Sequence, residues 1–139
     1  MNVLVDTSVW SLALRRKSED LSDGDSSIVA ELTELIREGR VRIVGLIRQE
    51  LLSGVRTPRQ FETIRGALRA FPDELIDTSD YEAAAKSSNE CRRKGVIVSL
   101  VDILICEIAR TRRWSIFTCD ADFVNYAKIL PIKLHNPRK

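Results

Sequence analysis

The chain has 139 residues, 44% hydrophobic and 30% charged, which are the proportions of a globular protein and exclude a disordered or fibrous one. A formal net charge of +2 means that any surface for a polyanion must be a local patch. Three cysteines without a C-x-x-C spacing argue against a disulfide framework or a zinc site, no apolar run is long enough to span a membrane, and no signal-peptide pattern is present; the expected setting is the reducing cytoplasm.

Asn2 to Val5 is a short β-rich apolar run that stops at Asp6-Thr7-Ser8, a helix-starting signal, so a buried first strand delivers Asp6 to a strand-helix junction. In open α/β sheets ligands bind beyond the carboxyl ends of the strands, which places Asp6 for chemistry; capping of the next helix by Asp6 or Thr7 is the structural alternative. Trp10, Leu12 and Leu14 then serve either an exposed apolar groove or the core. Ser18 to Asp25, polar and acidic, reads as a mobile loop, and a helix is predicted from about Ser26 to Glu38, stopping at Gly39.

Val41 to Gly45 reads as a second strand and leads into Leu46 to Gly54, an amphipathic stretch carrying Glu50. That acid either faces water or joins Asp6 at the same sheet edge. Thr57-Pro58 is an N-cap with a first-turn proline, opening a helix through about Ala70. Glu74 to Ile76 suggests a short strand, and Ser79 to Glu82 a capping box that opens a helix ending near Gly95.

Ser99 caps a helix with Asp102 in its first turn, and the apolar positions Leu100, Val101, Ile103, Leu104 and Ile105 predict that this turn enters the interior. An acid there needs a partner, and a cation would serve. Trp114 to Thr118 repeats the strand-then-acid arrangement, ending at Cys119-Asp120-Ala121-Asp122-Phe123, for which ordinary turn chemistry is the alternative. Ile129 to Leu134 is predicted as an edge strand because it contains Pro131, and the lone His135 is assigned a solvated or locally bonded role.

This alternation predicts one domain over residues 1–139 with an α/β fold of three α/β/α layers and a mostly parallel central sheet. Glycine-rich phosphate cradles are missing. A cluster of carboxylates repels itself unless a cation neutralises it, and oxygen-only ligands favour Mg²⁺ or Mn²⁺ over zinc. Candidate contacts for a polyanion are Arg15 and Arg16 with Lys17, and, ranked below them, Arg92 to Lys94 and Arg110 with Arg112 and Arg113; all three clusters lie near predicted helix C-termini, where meeting the helix dipole is the structural alternative.

The segments Val5-Asp6-Thr7-Ser8-Val9-Trp10, Glu50 to Gly54, Asp102 to Ile105, and Thr118-Cys119-Asp120-Ala121-Asp122-Phe123 together resemble the PIN-domain nucleases, and more narrowly the VapC-type toxins of bacterial toxin-antitoxin pairs. The resemblance spans residues 2 to about 134. It implies Asp6, Glu50, Asp102 and Asp120 as catalytic acids, with Asp6, Asp102, Asp120 and Asp122 around the metal, and Thr7, Ser8 and Thr118 as accessory hydroxyls. It further implies a Mg²⁺- or Mn²⁺-dependent endoribonuclease leaving 5′-phosphate and 3′-hydroxyl ends, a homodimer, and a cognate antitoxin that blocks the acidic pocket. Cys106 stands where the family often has alanine, and Cys119 sits between Thr118 and Asp120; neither departure removes a carboxylate. A phosphotransferase nucleophile site would want a second acid where Ser8 stands, and a receiver domain an acidic pair. The serious rival is a non-catalytic RNA- or protein-binding module that keeps the fold.

Overall fold

The computed structural model describes residues 1–138. Four parallel strands form one sheet in the order β2-β1-β3-β4, where β1 is Val3–Val5, β2 Val41–Arg42, β3 Ser115–Phe117 and β4 Lys133–Leu134. Helices cover both faces, giving the three-layer α/β/α architecture of the sequence reading. They are α1 (Thr7–Leu14), α2 (Asp23–Arg37), α3 (Gly45–Leu52), α4 (Pro58–Leu68), α5 (Thr78–Arg93), α6 (Leu100–Arg112) and α7 (Asp122–Ala127). No helix among the described residues is long and apolar enough to cross a membrane.

β1 is central, and Val3, Leu4 and Val5 are wholly buried, as expected for a parallel strand covered on both sides. Its register against β3 pairs Val5 with Phe117, and the Asp6 amide continues the ladder to the Phe117 carbonyl at 2.9 Å. Asp6 and Thr118 are therefore the next neighbours across the two strand ends. From β1 the chain moves outward to β2, and from β3 it moves outward the other way to β4. The gap between β1 and β3 is thus the topological switch point of the sheet, where open parallel sheets form their crevices.

α6 is the central helix. Every residue from Ile103 to Ala109 is buried, Glu107 included, because α5 packs on one side and β1 and β3 on the other. Burial of each large aliphatic side chain here contributes about 1.5–3 kcal/mol. The Glu107 carboxylate is matched by Ser87 from α5 and by Arg110 one turn on, whose Nε donates at 2.8 Å.

Several sequence expectations shift. Ser18 to Asp25 is ordered rather than a loop throughout: a short 3-10 turn, Ser18–Asp20, precedes α2, whose N-cap is Ser22, accepting from the Asp25 amide at 3.1 Å. Asp23 and Asp25 in the first turn suit the positive helix end. The capping box of α5 is formed by Asp77 and Asp80, two residues before the expected one. Glu74 to Ile76 forms no strand; a single bridge joins Ile43 to Asp73, Leu75 is exposed, and the Arg112 guanidinium takes both the Leu75 carbonyl and the Glu74 carboxylate. The first turn of α6 stays at the surface, with Leu100 85% exposed, and the interior begins at Ile103. Trp10 and Leu12 are buried core, with Trp10 in edge contact with Phe71, so they do not form an exposed groove.

Candidate active site

Asp6 is 6% exposed and stands at the N-cap position of α1, yet its side chain makes no capping bond. Its Oδ2 instead accepts from the Ser8 hydroxyl at 2.8 Å and the Thr118 hydroxyl at 2.9 Å. Each hydroxyl, having donated to Asp6, accepts an amide from the loop after β3: Cys119 N–H to Ser8 at 2.9 Å and Asp120 N–H to Thr118 at 3.0 Å. Asp120 in turn accepts the Asp122 amide on Oδ1 at 2.9 Å, which starts α7. One buried carboxylate thus orders the entire Thr118 to Asp122 turn. Charge-assisted bonds of this type are stronger than neutral ones, so the arrangement also stiffens the site.

Asp102 is half-buried on the first turn of α6, where its backbone amide donates to the Ser99 hydroxyl at 3.1 Å. Burial pushes its carboxyl above the usual carboxylate range, and the neighbouring charges of Asp6 and Asp120 push it the same way. Two of the other predicted acids, Asp6 and Asp120, therefore act on Asp102. The Tyr126 hydroxyl donates to Asp102 Oδ2 at 3.2 Å and partly offsets the rise. Burial and then the Asp102 charge move the Tyr126 phenol above its ordinary value, so it remains a donor.

Glu50 lies apart from this group in its bonding. It is exposed on α3, and its carboxylate has no hydrogen bond among the described residues. Arg15 reaches its main chain instead, donating to the carbonyls of Glu50, Leu51 and Ser53 at the end of α3. The Arg15 guanidinium is thereby committed to capping a helix, while Arg16 is largely exposed and only loosely paired with Asp25 at 3.9 Å. Asp122 is exposed in the first turn of α7, Ser8 is part of the Asp6 network, and the Thr7 hydroxyl is buried without a partner. Arg112 is taken up by Asp80 and Glu74.

Sequence reading missed Tyr126. The signal was there: Phe123, Tyr126 and Leu130 recur at helical spacing after Asp120, and all three are buried.

No three acidic, histidine or cysteine side chains among the described residues form a ready-made cation cage. The donor set still fits a hard divalent cation. Mg²⁺ keeps several waters and takes only one or two carboxylates directly, and hydrogen bonding at Asp6 and Asp102 is confined to Oδ2, which leaves Oδ1 of each for a ligand. The elevated Asp102 carboxyl also marks a place where added positive charge is favourable.

A carboxylate cluster at the switch point of a parallel three-layer sheet defines a class of α/β proteins with an acidic site at the strand ends. Residues 3–129 match the PIN domain family, and the chain belongs to it. PIN domains are generally nucleases. The fold is similar to that of FitAcB from Neisseria gonorrhoeae, with a TM-score of 0.75 at 20% identity over 97% of each chain. It is also similar to VapBC2 from Rickettsia felis bound to a DNA fragment from their promoter (TM-score 0.74, 16% identity, 98% of each chain). A toxin-antitoxin complex from Klebsiella pneumoniae matches with a TM-score of 0.68 at 17% identity over 99% of each chain. No curated protein sequence matches.

Proposed function

We propose that this protein is a metal-dependent endoribonuclease, the VapC-type toxin of a toxin-antitoxin pair, acting in the cytoplasm. The observation that carries the reading is the Asp6 carboxylate, buried at the β1-β3 switch point and held by Ser8 and Thr118; its charge, together with that of Asp120, acts on half-buried Asp102. Asp6, Asp102 and Asp120 would hold the cation, with Asp122 beside Asp120 and Glu50 contributing from α3. When bound, Mg²⁺ or Mn²⁺ supplies neutralisation of the carboxylates and of the scissile phosphate.

The chain's own groups do the rest. Ser8 and Thr118 hold Asp6 by Oδ2, which leaves Oδ1 without a protein partner and the side chain with little conformational freedom to lose. Water attacks an RNA phosphodiester, with 3′-hydroxyl and 5′-phosphate products. Arg16, mostly exposed near the end of α1, is the RNA contact of the first basic cluster; Arg15 supports it by fixing α3.

Three features support the wider assignment. Structural relatives include a complex described as toxin-antitoxin, which favours a cognate antitoxin as partner. All three cysteines are free thiols, consistent with a reducing compartment. A homodimer is supported by an apolar groove of about 540 Å³ between α5 and α6, lined by Ala84, Ala85, Val101 and Leu104 and rimmed by exposed Tyr81 and Leu100.

The test is cleavage of total cellular RNA by protein freed of antitoxin, with Mg²⁺, with Mn²⁺ and with chelator, alongside Asp6→Asn. Discrete metal-dependent cuts absent from the variant support the nuclease and identify its substrate. Absence of cuts under either metal returns the chain to the binding-module reading.

A further inference from the structure

We infer that Tyr126 is a positioning residue for the acidic site: its hydroxyl fixes the Asp102 carboxylate so that Oδ1 is presented to a divalent cation. This rests on the reading of the acids as a cation site.

The geometry is specific. Tyr126 is 5% exposed on α7, and its ring is held at 5.2 Å in edge contact with fully buried Phe123. The hydroxyl that emerges from this packing donates to Asp102 Oδ2 at 3.2 Å. The phenol oxygen lies in the plane of a ring held by packing, so its position is fixed, and the bond favours the Asp102 orientation that brings a carboxylate oxygen to it. α7 itself begins where the Asp122 amide bonds Asp120, and the turn before it is pinned to Asp6 through Ser8 and Thr118. Tyr126 therefore closes a loop of contacts from Asp6 through Asp120 and α7 to Asp102. Partners that orient a metal ligand from behind commonly change cation affinity about 10–100-fold when removed.

The experiment is Mn²⁺ titration of the antitoxin-free protein by electron paramagnetic resonance, comparing parent, Tyr126→Phe, and Asp102→Asn. Tyr126→Phe keeps the ring and its contact with Phe123, so its thermal transition should stay close to that of the parent. The expected result is a Kd for Mn²⁺ raised about tenfold in Tyr126→Phe, with RNA cleavage restored by excess Mn²⁺. A Kd within twofold of the parent, or a tighter one, while Asp102→Asn loses binding, overturns the role of Tyr126 and leaves the acidic site standing. If the parent binds no Mn²⁺, or Asp102→Asn binds it equally well, the cation site itself fails and the role of Tyr126 with it.

Discussion

The Thr118 hydroxyl donates to Oδ2 of Asp6 at 2.9 Å, a bond between residues 112 positions apart that follows directly from the register of Val5 against Phe117. The same hydroxyl accepts the Asp120 amide, so one side chain sets the orientation of two acids. Thr118→Val keeps the shape and removes both bonds. Leaving a buried carboxylate short of a donor should cost about 1–3 kcal/mol, read as a lower urea midpoint. Cleavage should fall more than stability does, and Thr118→Ser should restore both. An unaltered midpoint would show that Ser8 alone suffices for Asp6.

The C-terminal segment is fastened by ions. Glu31 on α2 is 3% exposed; it bonds His135 Nε2 at 2.8 Å and accepts from Arg138 Nε at 2.6 Å, while Arg138 also reaches Glu38. Burial opposes ionisation of Glu31, but the bonds from His135 and Arg138 prevail and hold its carboxyl below the ordinary value. A depressed carboxylate contributes stability above its unfolded value, about 4.3, and loses it as pH falls through the folded one. Arg138→Ala should therefore destabilise the protein at neutral pH and do so much less near pH 3. Chemical denaturation at the two pH values checks this; an equal loss at both would mean that the contact is packing rather than charge.

Self-association should depend on the exposed apolar rim of the α5-α6 groove. Leu100 is 85% exposed, and a charge there is harmless to a monomer but unfavourable in a dry contact. Leu100→Asp should shift a dimer to monomer in light scattering without lowering the thermal transition of the folded chain. A dimer that survives the substitution places the interface elsewhere.

Legibility from sequence followed the range of the interactions. Asp6 and Asp120 were readable because apolar runs ending in acids mark strand ends, and the parallel sheet followed from the alternation of β and α signals; the edge strand expected over Ile129 to Leu134 is confined to Lys133–Leu134 and leaves Pro131 outside it. Glu50 came forward through the strand that precedes it and then through the family pattern, and its exposed place on α3 shows why local reading could not separate it from a solvated face. Tyr126 was hidden because α7 has only six residues and begins in Asp120-Ala121-Asp122, which has the composition of a turn. His135 was expected to bond locally, whereas its partner Glu31 lies 104 positions away, beyond any periodicity argument. The Glu74 to Ile76 strand failed for a similar reason: its backbone is claimed by Arg112 of α6.

Asp102 makes the metal-free protein sensitive to pH in the opposite sense to Glu31. Burial, followed by the charges of Asp6 and Asp120, raises its carboxyl in the folded chain, so the folded state holds a proton that the unfolded state releases. The stability tied to that proton is complete below the unfolded value, about 3.9, and is lost as pH rises through the elevated folded one. In chelator, Asp102→Asn should thus be more thermally stable than the parent at pH 8, and the gap should close towards pH 4. Mg²⁺ should raise the transition of the parent by binding the folded state, and do so far less for Asp102→Asn. A variant no more stable than the parent at pH 8 would mean that the acids are too well hydrated to repel, and an equal Mg²⁺ response in both would remove Asp102 from the cation's ligands.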